Sequence, residues 1–394
     1  MGRGGAGQAD PWPTPVKIAF IGLKGLPSTW TGIEFHVDRL GRGLAARGHE
    51  VTAYTRRPYT PAGVREHGGM TLISLPTIVS KHLDASVHSF LASCHAAVRG
   101  YDVIHFHGIG PGAFGVVPRL FGRLVVCTVH RLDWQAEKWG RAASRLIRAA
   151  ESVSVRAAHR TIAVSAGLQA HLKERHRVDA VLIPNGCDRV TPRKPALIRE
   201  RYGLEGCDYV LFMGRLSPEK RVDWLIRAFL AAAGPPSGSS SPRLVVAGGF
   251  NATDEYAAGL RRLADGDPRI VFTGFVAGVE KEELLSNALV FALPSRVEGL
   301  PIVLLEAKGY GVCCLASDIP PHREIIRDGV DGVLFDAADP GGLTAKLRVL
   351  LRDPERALAM GVAARARTSD LVSWDEVVAR TETVYRGLVQ RATT

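Results

Sequence analysis

Val290-Phe291-Ala292-Leu293-Pro294-Ser295-Arg296-Val297-Glu298-Gly299-Leu300-Pro301-Ile302-Val303-Leu304-Leu305-Glu306-Ala307 is the stretch whose pattern decides the fold. Four apolar residues end at Pro294, as a buried parallel strand does. A turn containing Gly299 follows, and Pro301 suits the first position of a helix, where its missing N–H is no loss. Such a helix start aims free backbone N–H groups and a positive dipole end at the space beyond the strand, which suits a phosphate. Glu298 falls in the turn and Glu306 on the second turn of the helix. Carboxylates so placed can accept hydrogen bonds from sugar hydroxyls, one on a transferred sugar and one on a ribose. The Glu pair alone is weak evidence. The strand, the Gly-Leu-Pro turn and the helix around it make it specific.

The arrangement recurs upstream. Tyr209-Val210-Leu211-Phe212-Met213 ends at Gly214, and a helix is expected over 222–233. Arg215 and Lys220 lie in the intervening turn. They can clamp a diphosphate and stabilise the charge that grows on a leaving group. Magnesium held by carboxylates often does that work. No Asp-x-Asp motif is evident, so protein cations are the candidates, and neither a metal nor another cofactor is expected. The loss of either cation should then cost catalysis far more than folding.

The first half of the chain follows the same rhythm. Val16-Lys17-Ile18-Ala19-Phe20-Ile21 ends at Gly22, and Val37, Leu40 and Leu44 mark a helix over 33–47 that Gly48 stops. Glu50-Val51-Thr52-Ala53-Tyr54 begins the next strand, and others are expected at 70–75, 103–106, 124–129, 161–164 and 180–183. Pro184-Asn185-Gly186-Cys187-Asp188, then Pro192 and Pro195, break the pattern. Beyond the break, strands at 244–247, 270–273, 290–293 and 313–316 continue it. Residues 234–242 form a low-complexity surface loop with no evident chemistry. A length of 394 residues suits two cores rather than one. The expected class is therefore α/β, with two tandem Rossmann-like doubly wound domains at 15–190 and 209–394. A tail at 1–14 and a linker at 191–208 complete the chain, and the last helix is a candidate to pack back on the first domain. Ligands bind such folds in the cleft at the carboxyl ends of the strands.

Hydrophobic residues make up 46% and charged residues 23%, the balance of a globular chain, and no run of about 18 apolar residues suggests a membrane span. The six cysteines show no C-x-x-C spacing, which fits a reducing cytoplasm. The net charge of +11 is lopsided: 15–190 hold 23 Lys and Arg against 12 Asp and Glu, whereas 191–394 balance. The excess reads either as the mark of an anionic partner (a phosphorylated substrate, an anionic membrane surface or nucleic acid) or as arginines that merely decorate solvated faces. Lys138, Arg141, Arg145, Arg148, Arg156 and Arg160 recur along an expected helix, with Leu146, Ala150, Val153 and Ala157 as its apolar stripe. Trp134 and Trp139 stand just before it. That helix reads either as a membrane or acceptor-phosphate surface at Arg141, Arg145 and Arg148, or as a helix that buries its stripe and solvates its charges.

In Val103-Ile104-His105-Phe106-His107-Gly108 the two imidazoles share one face of a strand, and His130 ends a neighbouring one. No Cys or carboxylate completes a zinc site there. His105 reads as a packed strand residue, while His130 stays undecided.

Together these residues resemble the donor site of the retaining family-4 glycosyltransferases of GT-B fold, over 16–389. Gly22-Leu23-Lys24-Gly25-Leu26-Pro27 and Thr31-Gly32-Ile33-Glu34-Phe35-His36-Val37 are similar to that family's amino-terminal loop, with Thr31-Gly32 where the family has Gly-Gly. Arg47-Gly48-His49-Glu50-Val51-Thr52 is similar to its second strand. The resemblance implies Arg215 and Lys220 on the diphosphate, Glu306 on the ribose and Glu298 on the donor sugar, with Gly32, Gly299, Leu300 and Pro301 also lining the donor site. His107 resembles a histidine that touches the donor sugar near the reacting carbon. It further implies a nucleotide-sugar donor, a glycan or lipid-linked acceptor, and a front-face reaction in which the donor phosphate takes the acceptor's proton. Cell-surface polysaccharide assembly in the cytoplasm, peripheral to the membrane, is the matching setting. A nucleotide-sugar epimerase would need acid and base residues that are not evident. A dehydrogenase lacks its glycine turn, since Gly22-Leu23-Lys24-Gly25-Leu26-Pro27 is not G-x-G-x-x-G. A nucleic-acid-binding module would leave Glu298, Glu306, Arg215 and Lys220 without a purpose, and no nucleic acid is expected.

Overall fold

The computed structural model describes residues 15–27, 32–80, 83–135, 139–235, 241–249 and 255–393. The expected tail at 1–14, Thr31, Lys138 and 236–240 of the low-complexity loop lie outside them.

Two sheets form. The first contains β1 (Lys17–Ile21), β2 (Glu50–Arg56), β3 (Glu66–His67), β4 (Met70–Leu75), β5 (Val103–His107), β6 (Leu124–Val129), β7 (Arg160–Ala163) and β8 (Val181–Leu182). Its order is β3-β4-β2-β1-β5-β6-β7-β8, parallel except for the β3–β4 pair. The second contains β9 (Tyr209–Met213), β10 (Arg243–Ala247), β11 (Ile270–Gly274), β12 (Val290–Leu293), β13 (Cys313–Ser317) and β14 (Gly332–Phe335), ordered β11-β10-β9-β12-β13-β14. Strands such as β1, β9, β12 and β13 are buried almost throughout, which is why they read as continuous apolar runs. In each sheet the winding reverses once, between β1 and β5 and between β9 and β12. Those two switch points are where an open α/β sheet leaves a crevice beyond its strand ends.

The carboxy-terminal helix, Trp374–Thr393, belongs to the first sheet's core. Trp374, Val377, Val378, Tyr385 and Leu388 are buried with β1 and with Val37, Leu40 and Leu44 of the helix Gly32–Ala46. Arg47 fixes it further through Glu382 at 2.8 Å. Each of those apolar side chains contributes about 1.5–3 kcal/mol by leaving water. The second lobe is thus strapped to the first by the end of the chain.

Three expectations change. Residues 191–208 are more than a linker: they include the helix Leu197–Tyr202, whose Ile198 is fully buried in the second core along with Leu204. Glu283 accepts from the Ala196 and Ile198 N–H groups at 2.9 and 3.1 Å and so caps that helix. Pro301 does not open its helix but precedes it, with φ −72° and ψ 112°, ahead of Ile302–Tyr310. On the helix Arg141–Ala157 the expected apolar stripe is only partly buried: Ala157 is buried, but Leu146 is 72% and Val153 42% exposed. The buried face carries Glu151, Ser154 and Val155 beside Ala157, and Arg160 lies in β7 rather than on this helix. Polar side chains face inward there because partners await them: Cys127 Sγ meets Ser154 Oγ at 3.2 Å, and Glu151 meets an indole and two imidazoles.

Candidate active site

The residues expected in the donor site gather at the two switch points. At the second, the β9 turn and the β12 turn are bound together by the Arg296 N–H, which donates to the Glu219 carbonyl at 2.9 Å. Lys220 from the first turn donates to Glu298 Oε1 of the second. Burial alone would raise the Glu298 carboxyl, but Lys220 and His322 hold it below the usual carboxylate range. Glu298 is therefore an anion in the closed site, able to accept from a hydroxyl. Arg215, by contrast, is 37% exposed at its side chain and rests on Glu219 Oε1 at 3.2 Å. It can swing toward a diphosphate without leaving a desolvated position.

The helix that starts at Ile302 has its first N–H groups at Ile302 and Val303, which lack intrahelical acceptors by geometry. They end the β12 turn beside Glu298, where an anion is favoured. Glu306, one turn on, holds Lys281 Nζ at 2.7 Å and is 19% exposed at its side chain. A ribose hydroxyl would have to share that carboxylate with Lys281. An Asp-x-Asp triplet does occur in the chain, at Asp265-Gly266-Asp267. It precedes β11, at the amino end of the sheet, and Arg269 takes both Asp267 oxygens, at 3.0 and 2.7 Å. It therefore plays no part in the cleft.

At the first switch point β5 delivers His107, fully buried, with Gly108 beyond it. Gly22 must be glycine to end β1 here, since its φ is +119° and a Cβ would run into the His107 carbonyl. His107 Nδ1 lies 3.2 Å from His130 Nε2, and the two rings stack with centroids 5.5 Å apart. His36 completes the group, 4.7 Å from the His130 ring. Burial, then the neighbouring imidazoles, push His107 and His130 well below the ordinary histidine range, so both are neutral. His107 Nε2 is buried and has no hydrogen-bond partner among the described residues. His105 lies on the same face, its ring 4.2 Å from that of His107. It is fixed between the Tyr385 hydroxyl at 2.6 Å and Thr128 Oγ1 at 2.7 Å, so it is a packed strand residue.

The two switch points face each other. A Cβ at Gly299 would run into the backbone carbonyl of His130, so only glycine lets the β12 turn approach β6. Gly32, at the start of its helix, looks toward Ile302, with 3.8 Å from an imagined Cβ to Ile302 Cδ1. Leu300 offers its carbonyl to Asn185 Nδ2 at 2.7 Å, while Asn185 Oδ1 meets His36 Nδ1 at 2.9 Å. Arg131, next to His130, bonds Asp133 at 2.8 Å and lies 3.7 Å from Glu219 across the cleft. Asn185, His36, Arg131 and Glu219 were not singled out from sequence. Asn185 was readable only as part of a Pro-Asn-Gly break and His36 only as part of the amino-terminal loop; Arg131 and Glu219 had no local signal. Arg141, Arg145 and Arg148 are exposed on their helix, outside this cleft, and Arg148 stacks over Trp134 at 4.2 Å.

Known proteins share this architecture. Residues 30–190 match the family described as Glycosyltransferase Family 4, and residues 196–367 match Glycosyl transferases group 1. The D-inositol 3-phosphate glycosyltransferase of Kineococcus radiotolerans is 30% identical, over 91% of each chain. Among solved structures, sucrose-phosphate synthase from Thermosynechococcus elongatus superposes with a TM-score of 0.81 at 24% identity, covering 95% of this chain and all of its own. HepE of Anabaena, solved with UDP and glucose, gives a TM-score of 0.77 at 19% identity, covering 94% of this chain and 100% of its own. The fold is GT-B, and the chain belongs to glycosyltransferase family 4.

Proposed function

We propose that this protein is a retaining, metal-independent hexosyltransferase that moves a sugar from a nucleotide-sugar donor to a glycan or lipid-linked acceptor, in cell-surface polysaccharide assembly. The observation that carries the reading is the opposition of the two switch points. The Lys220–Glu298 pair and the free helix start stand on one side, and neutral His107 stands on the other. The nucleotide diphosphate lies against Arg215, Lys220 and the Ile302 helix start, Glu298 and His107 hold hydroxyls of the transferred sugar, and Glu306 reaches the ribose. HepE, whose structure holds UDP and glucose, supports such a donor.

In the transfer step the bond from the anomeric carbon to the diphosphate oxygen breaks, and its electron pair leaves with the phosphate. The acceptor oxygen attacks from the same face and gives its proton to that phosphate oxygen. Arg215 and Lys220 stabilise the negative charge as it grows. A panel of nucleotide sugars, free nucleotides and free sugars should single out one nucleotide class by thermal shift. Saturation at a hundred times Kd adds about 2.7 kcal/mol and raises the melting temperature by several degrees. No shift with any nucleotide would overturn the donor assignment. Chelation should leave turnover within about twofold, because protein cations take the role that magnesium has elsewhere. Loss of turnover with EDTA and its return with Mg²⁺ or Mn²⁺ would contradict that.

We place the enzyme in the cytoplasm, peripheral to the membrane. Among the described residues no helix is long and apolar enough to cross one. Arg141, Arg145 and Arg148 are exposed together with Leu146, an arrangement that suits an anionic interface. Each basic residue near an anionic surface contributes about 1 kcal/mol, within a Debye length of about 8 Å. Changing the three arginines to glutamine should weaken sedimentation with anionic vesicles by at least tenfold while sparing nucleotide affinity. Equal partitioning onto neutral and anionic vesicles would return these residues to ordinary solvated charges.

A further inference from the structure

Glu151 is fully buried in the first domain, outside the cleft residues described above. Its carboxylate meets three side chains. Trp134 Nε1 donates to Oε2 at 2.6 Å, while His171 Nε2 and His176 Nε2 both lie on Oε1, at 2.7 and 2.6 Å. The two imidazoles come from the helix Ala166–His176 and Glu151 from the helix Arg141–Ala157. All three ligand-type atoms lie within 4.8 Å of one another.

Two imidazole nitrogens and one carboxylate oxygen are the donor set that zinc takes when a fourth position is left to water. Zinc bonds of about 2.0–2.2 Å set ligand atoms about 3.3 Å apart, so each imidazole need retreat by only about 0.6 Å to admit an ion. The indole N–H on the other carboxylate oxygen is the outer contact that orients a ligating carboxylate. His176 is 5% exposed and His171 22%, which gives the ion a route in beside His171. The cluster of His36, His107 and His130 differs. It has no carboxylate; His36 Nδ1 meets Asn185 Oδ1, and His107 Nδ1 meets His130 Nε2.

We propose that Glu151, His171 and His176 bind one divalent ion of the zinc class, and that this ion braces the two helices and the loop bearing Trp134. It takes no part in the transfer step. The ion replaces the contacts of both imidazoles with Oε1 by three coordinate bonds, and any proton on Nε2 is released to solvent.

Full-length protein stripped with chelator is dialysed against Zn²⁺, and bound metal is counted by mass spectrometry. A second sample is titrated with Co²⁺ and followed by visible absorption and tryptophan emission. One equivalent of zinc, ligand-field bands with cobalt and quenched emission are expected. Glu151→Gln preserves the side chain's shape but removes the anionic ligand, and should weaken zinc at least about a hundredfold. Trp134→Phe, which loses only the outer contact, should weaken it about tenfold to a hundredfold. If Glu151→Gln fails to fold by near-ultraviolet circular dichroism, His171→Ala carries the test from a part-exposed position. Absence of zinc from the wild-type protein, or equal zinc in wild type and the ligand variants, would overturn the proposal.

Discussion

Lys220→Ala is expected to lower kcat/KM by at least about a hundredfold, the usual cost of removing one donor that stabilises transition-state charge. Arg215→Ala should do the same, but the two variants should differ in stability. Arg215 is part exposed, and Glu219, the buried carboxylate it rests on, keeps Arg131 at 3.7 Å, so its loss should lower the melting temperature less than the loss of Lys220. Lys220 is 14% exposed at its side chain and pairs with a Glu298 that is 9% exposed. Removing one partner of such a pair strands a charge and costs about 3–5 kcal/mol. The sequence-based expectation, that losing Lys220 costs catalysis far more than folding, therefore gives way to a cost in both once the pair is seen. The double variant Lys220→Ala/Glu298→Gln should recover most of that stability and none of the activity. A folded single or double variant within about threefold of wild-type turnover would remove the diphosphate clamp from the account.

Acid should unfold the protein well before its carboxylates titrate. Burial lowers His36, His88 and His322 from 6.5 to about 4, and His105 to about 3. The native state keeps these imidazoles neutral, whereas the unfolded chain protonates them below about pH 6.5. More protons bind to the unfolded state, so stability falls as pH falls. The contribution is complete above about pH 6.5 and is lost down to about pH 4, or pH 3 for His105. By pH 5 each group forfeits on the order of 2 kcal/mol, and the four together rival the whole net stability of a domain. A melting temperature that drops steeply from pH 7 to pH 5, and less steeply in His36→Asn, is the expected result. A flat profile over that range would show that these imidazoles already carry protons in the folded state.

Both switch points were legible because their signals are local. Strands buried on two faces read as apolar runs, and glycines mark their ends, as at Ile21-Gly22, Met213-Gly214 and Leu293 before Gly299. Glu298, Arg215 and Lys220 lie in the turns after such ends, and Glu306 lies on the helix that follows. Asn185 and Tyr385 were not legible, because they act on His36 and His105 across 149 and 280 residues of chain. The helix Arg141–Ala157 misled for a related reason. Its inward face is chosen by Glu151 and Ser154, whose partners come from β6, the Trp134 loop and the next helix, and hydropathy has no means of anticipating them. The same long-range polar packing supplies the candidate ion site.

The anomeric configuration of the first-formed product tests the central claim most directly. The nucleotide sugar singled out by thermal shift is incubated with the enzyme in EDTA, and proton NMR follows the sugar released by slow hydrolysis before it mutarotates. With a donor bearing an α-linked sugar, the account predicts that the α-anomer appears first, in wild type and not in Lys220→Ala/Glu298→Gln. Initial release of the β-anomer, or release only after Mg²⁺ is restored, would contradict front-face transfer to water or acceptor by a cleft that supplies its own cations.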